Sequence, residues 1–179
     1  MTLQTWGRLV LVALLAALIQ VGVLNDIVVG GAHPDLFLLL AISAGLAAGP
    51  QRGAVMAFAL GLVADLFVQT PYGLSSLCYV LVAFAVGLAA GVPAGRAPIG
   101  FQLATALLGG VGGTLLYAGV GALMGQPSVP RHELVVVVAV VTAGCVLLVS
   151  PAYRLLEWTV AVVAGAHHDP AAFVSGSAR

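Results

Sequence analysis

Apolar positions in this chain do not alternate with polar ones; they gather in runs of about 16 to 25 residues, each closed by a short cluster of Gly, Pro or charged residues. Runs of that length predict helices that cross, or nearly cross, a hydrocarbon core about 30 Å thick. The pattern gives six helices, at about 8–28, 34–49, 53–70, 73–92, 99–124 and 133–151, the second of them short. Gly30-Gly31 with His33-Pro34 separates the first pair, Gly49-Pro50-Gln51-Arg52 the second and third, and Pro71 with Gly73 the third and fourth. Gly91 to Gly95 closes the fourth helix, and Gln126 to Pro130 the fifth. Because all connections are short, neighbouring helices are expected to be antiparallel. The expected fold class is all-α integral membrane, a six-transmembrane-helix bundle. Residues 1–165 form its single polytopic membrane domain, with a flexible cytoplasmic tail at 166–179.

A second pattern lies within the runs. In the third helix Gly53, Ala57, Gly61, Asp65 and Gln69 recur at every fourth position, which lays them along one face. Small residues mark helix contacts in membranes, where close backbone approach replaces the absent hydrophobic drive. Asp65 is therefore expected to point into protein. The device recurs as Ala41, Gly45 and Gly49 in the second helix, as Ser75, Tyr79, Ala83, Gly87 and Gly91 in the fourth, and as Ala106, Gly110, Thr114, Ala118 and Ala122 in the fifth.

Composition strengthens the membrane reading: 61% of residues are hydrophobic and 7% charged, against about a quarter charged in ordinary soluble domains. The net charge of zero and the scattered arginines exclude nucleic acid as a partner, since phosphate binding needs a basic patch. The arginines also orient the chain. With six spans Arg8, Arg52, Arg96, Arg154 and Arg179 fall on the side of both termini and Arg131 on the other, so both termini are expected in the cytoplasm of a multi-pass plasma-membrane protein. Trp6 and Trp158 suit the headgroup layer on that side. The first run, RLVLVALLAALIQVGVL, lacks a convincing small-x-small cleavage site and reads as a retained helix. After Pro151 the stretch AYRLLEWTVAVVAG either continues the sixth helix past a kink or lies along the interface as a separate amphipathic helix to 165; the second reading is favoured, because Arg154 and Glu157 would otherwise stand at the helix middle.

An ionisable group in a membrane helix costs a few kcal/mol on insertion scales (about 2.5–3.5) and is a functional candidate by default. Three readings stand for Asp65: a structural one, in which it caps the amides of the Thr-Pro-Tyr-Gly turn or bonds Thr70, Ser75 or Ser76; a proton or ion relay; and a contact with a partner near the outer surface. Asn25-Asp26 and Pro34-Asp35 flank the first outer loop and read as its solvated ends. Tyr72 and Tyr117 read as interfacial or packing aromatics, and Cys78 and Cys145 as small buried hydrophobes. His167-His168-Asp169 offers adjacent ligands without a metal geometry. The sequence has no HExxH, GxSxG or GxxxxGK[ST] motif and no clustered acids for Mg²⁺, so neither a catalytic residue, a metal nor a cofactor is expected.

The segment PDLFLLLAISAGLAAGPQRGAVMAFALGLVADLFVQTPYGLSSLCYVLVAF resembles the rod shape-determining MreD family. Pro34-Asp35, Gly53, Gly61, Leu62, Asp65, Pro71, Gly73 and Leu74 occupy the places of that family's Pro-Asp opening and its Gly/Asp/Pro/Gly block, and Ser150-Pro151 resembles its C-terminal proline. The resemblance implies a non-enzymatic scaffold subunit of the bacterial machinery that elongates the peptidoglycan wall. It implies MreC as direct partner, with MreB, RodA and a class B penicillin-binding protein beyond it. It also implies a fold similar to the substrate-binding subunits of energy-coupling-factor vitamin transporters. That kinship supplies the alternative function, a small-nutrient-binding transporter subunit, for which Asn25, Asp26, Asp35, Gln69, Tyr72, Ser75, Ser76 and Tyr79 would line an outer pocket.

Overall fold

A computed structural model describes residues 3–24, 33–67, 73–91, 97–125 and 131–165. Among them are five α-helices and no strand: α1 (Leu3–Ile19, continued by a π-helical turn, Gln20–Leu24), α2 (Leu36–Asp65), α3 (Leu74–Ala90), α4 (Ile99–Leu123) and α5 (Arg131–Gly165). Four stretches, Leu3–Gly22, Leu36–Asp65, Ile99–Leu123 and Glu133–Val160, are long and apolar enough to cross a membrane, and α3 is a shorter apolar helix. Of the six spans expected from the hydrophobic pattern, the second and third fall within α2 and the fourth, α3, is short, so four helices among the described residues are by themselves long and apolar enough to cross.

α2 is not a straight rod. Gly49 takes φ +77° and ψ −177° immediately before Pro50, a backbone that few residues other than glycine adopt. Pro50 suits the first turn of a new helical arm, where its missing N–H leaves no bond unmade. The chain reverses there: a methyl carbon placed on Gly53 would stand 2.7 Å from the Ala44 carbonyl oxygen and 2.8 Å from the Gly45 Cα. The two arms of α2 therefore lie side by side, 36–48 against 50–65.

α3 packs along both arms. Gly61 faces the Ser76 backbone, Gly45 the Ala83 carbonyl, and Gly87 the Gly49-Pro50 turn, so these three segments form a hub with backbone nearly touching backbone. α4 lies over the first arm, with Gly109 against Ile42 and Gly113 against Leu38, and α5 crosses α4 where Gly110 meets Thr142. α1 touches α2 and α5 and turns Val10, Leu11, Leu14, Leu15 and Leu18 outward, as a lipid-facing helix would.

α5 corrects a second expectation. It is one helix from Arg131 to Gly165 through Pro151, not a span followed by a separate interfacial helix. The physical reason is length. At 1.5 Å per residue its 35 residues reach about 52 Å, well beyond a hydrocarbon core of about 30 Å. Arg154 is exposed on this helix, within the candidate span Glu133–Val160. Pro151 is itself exposed and lines a shallow apolar groove shared with α1 and the first arm of α2. Cys78 and Cys145 are both buried and free.

Candidate functional site

Two groups of polar contacts stand at the two ends of the bundle, while Ser43, Thr114 and Thr142 lie between them. At the end where the N-terminus lies, Arg8 donates from Nη1 to the Trp158 carbonyl (3.0 Å) and its guanidinium stacks 4.0 Å from the Trp158 ring centroid. The Tyr153 hydroxyl there accepts from the Ala97 N–H (3.1 Å), and Gln102 Nε2 donates to the Ala97 carbonyl (2.8 Å), fixing the entry to α4.

The opposite end holds both carboxylates that the sequence singled out. Asp65 ends the second arm of α2 and is 2% exposed. Its Oδ2 accepts from the Gly73 N–H (2.9 Å) and the Ser76 hydroxyl (3.1 Å), and its Oδ1 from the Ser75 N–H (3.2 Å). Gly73, the residue before α3, has φ +96° and no side chain to cap the helix. Asp65 supplies that cap from another helix, satisfying amides that a helix start leaves without partners and placing negative charge at the positive end of the α3 dipole. Gly61, one turn back, makes room for this by letting α2 approach the Ser76 backbone.

Asp35 is the N-cap of α2. Its Oδ1 accepts from the Phe37 N–H (2.9 Å) and the Leu38 N–H (3.0 Å), and its Oδ2 from the Tyr79 hydroxyl (2.7 Å). It is a helix cap bonded to α3, not merely a solvated loop end. Pro34, beside it, offers its carbonyl to Gln20 Nε2 (2.9 Å), while Gln20 Oε1 accepts from the Leu36 N–H (3.0 Å), so one amide side chain clamps α1 to the start of α2.

Between these groups lies a cavity of about 350 Å³, whose lining includes the polar Gln20, His33, Asp35 and Thr114, the rings of Tyr79 and Tyr117, and the aliphatic Leu38, Val137 and Val141. Of the residues singled out from sequence, Asp65, Gly61, Gly73, Ser75 and Ser76 meet in one knot, Pro34, Asp35 and Tyr79 in a second beside it, and Gly53 lies in the arm-to-arm contact near the other end. Asn25, Asp26, Gln69, Thr70, Pro71, Tyr72, Arg96 and the tail from 166, with His167-His168-Asp169, lie outside the described residues. Sequence reasoning missed Gln20. The signal was available: it is the one amide in the first apolar run, and an isolated polar group in such a run seeks a partner across helices.

Comparison with protein-family models decides what kind of molecule this is. The model described as rod shape-determining protein MreD matches residues 2–124. The chain belongs to the MreD family. The match runs from α1 through α4 and takes in both carboxylate knots. Membership gives the chain a role in rod shape determination within a membrane protein family of the MreB, MreC and MreD shape system, a family not known for enzymes. Neither the comparison with curated proteins nor that with solved structures returned a match. The expected likeness to vitamin-transporter subunits therefore finds no support.

Proposed function

We propose that the chain is a non-enzymatic membrane scaffold subunit of the peptidoglycan elongation machinery and that it serves cell shape by holding MreC. MreB, RodA and the class B penicillin-binding protein are reached through that contact. The observation that carries the reading is the use made of Asp65. Among the described residues its hydrogen bonds go to Gly73, Ser75 and Ser76 at the start of α3, so the carboxylate buried in the apolar hub fastens two helices together. A rigid hub with fixed outer faces is what a scaffold for another membrane helix needs.

In this reading the chain crosses the membrane six times, with the two arms of α2 counted separately and α3 as the fourth pass. Arg8, Arg52 and Arg154 stand on the side of the N-terminus, and α5 begins with Arg131 on the other. Both termini are then cytoplasmic in a bacterial plasma membrane.

The test is depletion of the chain in its host, complemented by wild type, Asp65→Ala or Gly61→Leu, with cell imaging and MreC co-purification. Depleted cells are expected to round in media with or without vitamins, and both variants to lose MreC and fail to restore rods. Normal shape on depletion, with growth rescued only by a vitamin supplement, would instead make the chain a transporter subunit. Wild-type MreC recovery by both variants would remove the role assigned to this helix face.

A further inference from the structure

The cavity beside Asp35 has a chemistry that the scaffold role does not use. Its volume of about 350 Å³ lies within the range of small-molecule sites, about 300–1,000 Å³. One side carries the Asp35 carboxylate, the rings of Tyr79 and Tyr117, and the exposed His33. Leu38, Val137 and Val141 add aliphatic lining, with Phe37, Phe67 and Thr114 also on the wall. Asp35 accepts three hydrogen bonds, two from α2 amides and one from Tyr79. An ionised carboxylate has about four lone-pair positions, so acceptor capacity remains. Among the described residues no arginine or histidine forms an ion pair with it.

A half-buried carboxylate without a cationic partner favours a cation by Coulomb attraction, and two tyrosines in the same lining add aromatic groups of the kind that attract ammonium. The same arrangement disfavours anions. The aliphatic wall then selects a cation that carries an apolar body.

We propose that this cavity binds an ammonium group, primary or quaternary, with its charge against Asp35 and the Tyr79 and Tyr117 rings and its apolar portion toward Leu38, Val137 and Val141. Two sources present that chemistry, a free organic amine and the headgroup of an amine-bearing lipid. The site adds a ligand to the scaffold and does not depend on MreC capture.

The full chain, purified in detergent, would be titrated with choline and 2-phenylethylammonium, each against its uncharged counterpart, 3,3-dimethylbutan-1-ol and 2-phenylethanol, following the unfolding temperature. At least one ammonium probe is expected to raise it saturably and to bind at least tenfold more tightly than its alcohol. Asp35→Asn keeps a capping oxygen for α2 and removes the charge, so it is expected to weaken the ammonium probe at least tenfold. Val137→Phe fills the aliphatic side without touching the cap and is expected to do the same, which decides the matter if Asp35→Asn does not fold. Equal binding of ammonium and alcohol, or ammonium binding unchanged in Val137→Phe, would overturn the proposal. In nanodiscs, displacement of the probe by phosphatidylethanolamine but not by phosphatidylglycerol would identify a lipid headgroup as the ligand. Retention of the probe in both would identify a free amine.

Discussion

Gly61 in α2 and Gly112 in α4 both lie inside apolar helices of a chain rich in small residues, yet their surroundings differ completely. A methyl carbon on Gly61 would collide with the Ser76 backbone, whereas one on Gly112 would meet nothing within 4 Å. The hub of α2 and α3 uses its glycines to bring backbone against backbone; α4 uses Gly109, Gly110 and Gly113 toward its neighbours and leaves Gly112 and Gly119 facing outward. Glycine content alone therefore does not locate the load in this bundle. What matters is whether a second backbone stands where the side chain would be, because backbone cannot move aside as a flexible side chain can.

The contrast can be broken first at its strongest point. Gly61→Leu is expected to cost about 3 kcal/mol or more, the upper end of overpacking penalties, and to abolish most folded monomer in detergent. Gly112→Leu should recover at wild-type yield. Equal losses in size-exclusion profiles of the two variants would erase the distinction between hub and periphery.

Asp65→Ala comes next. It strands the Gly73 and Ser75 amides and the Ser76 hydroxyl, and loss of charge-assisted bonds to buried donors is worth about 3 kcal/mol. Hydrogen exchange should accelerate first at the start of α3, with Asp65→Asn, which keeps an acceptor oxygen, showing roughly half the loss of stability. Exchange that rises evenly over the whole chain would mean that Asp65 does not act as a local fastener.

Gln20→Leu should cost about 1–2 kcal/mol, the price of two hydrogen bonds in a part-buried site. Its signature is faster exchange near the end of α1 around Gln20, where that side chain ties α1 to Pro34 and Leu36. The smallest effect belongs to Gly112→Ala, expected within about 0.5 kcal/mol of wild type by thermal unfolding.

These contrasts also show how far the amino-acid pattern carries. The break at Gly49-Pro50 was legible because a glycine able to take positive φ precedes a residue that starts helices well. The placement of Asp65 against the following turn was legible too, since a carboxylate at a helix end needs donors and the turn supplies a glycine amide and serines within reach. Two things were not. The small-residue face assigned to α4 holds for Ala106 and Gly110, which are buried, but Ala122 is exposed. Spacing finds a face without saying how far along it a neighbour extends. The bonds of Asp35 to Tyr79 and of Gln20 to Pro34 and Leu36 join residues whose proximity depends on the assembled bundle. Nor does Pro151 end α5, although a proline inside a helix removes a hydrogen bond and crowds the carbonyl one turn back, so the residue alone did not predict that the helix continues.

The reversal of α2 at Gly49 underlies all of this, since the hub, the Asp65 fastener and the cavity exist only if residues 33–36 and 64–67 stand at the same end of the bundle. It can be measured directly with spin labels at His33→Cys and Leu66→Cys, both exposed positions, in a chain with Cys78 and Cys145 replaced by alanine. A folded-back α2 places the labels about 20–30 Å apart, two to three helix diameters at about 10 Å each including the label arms. A distance near 45 Å, which about 30 residues of unbroken helix would give at 1.5 Å per residue, would contradict the account.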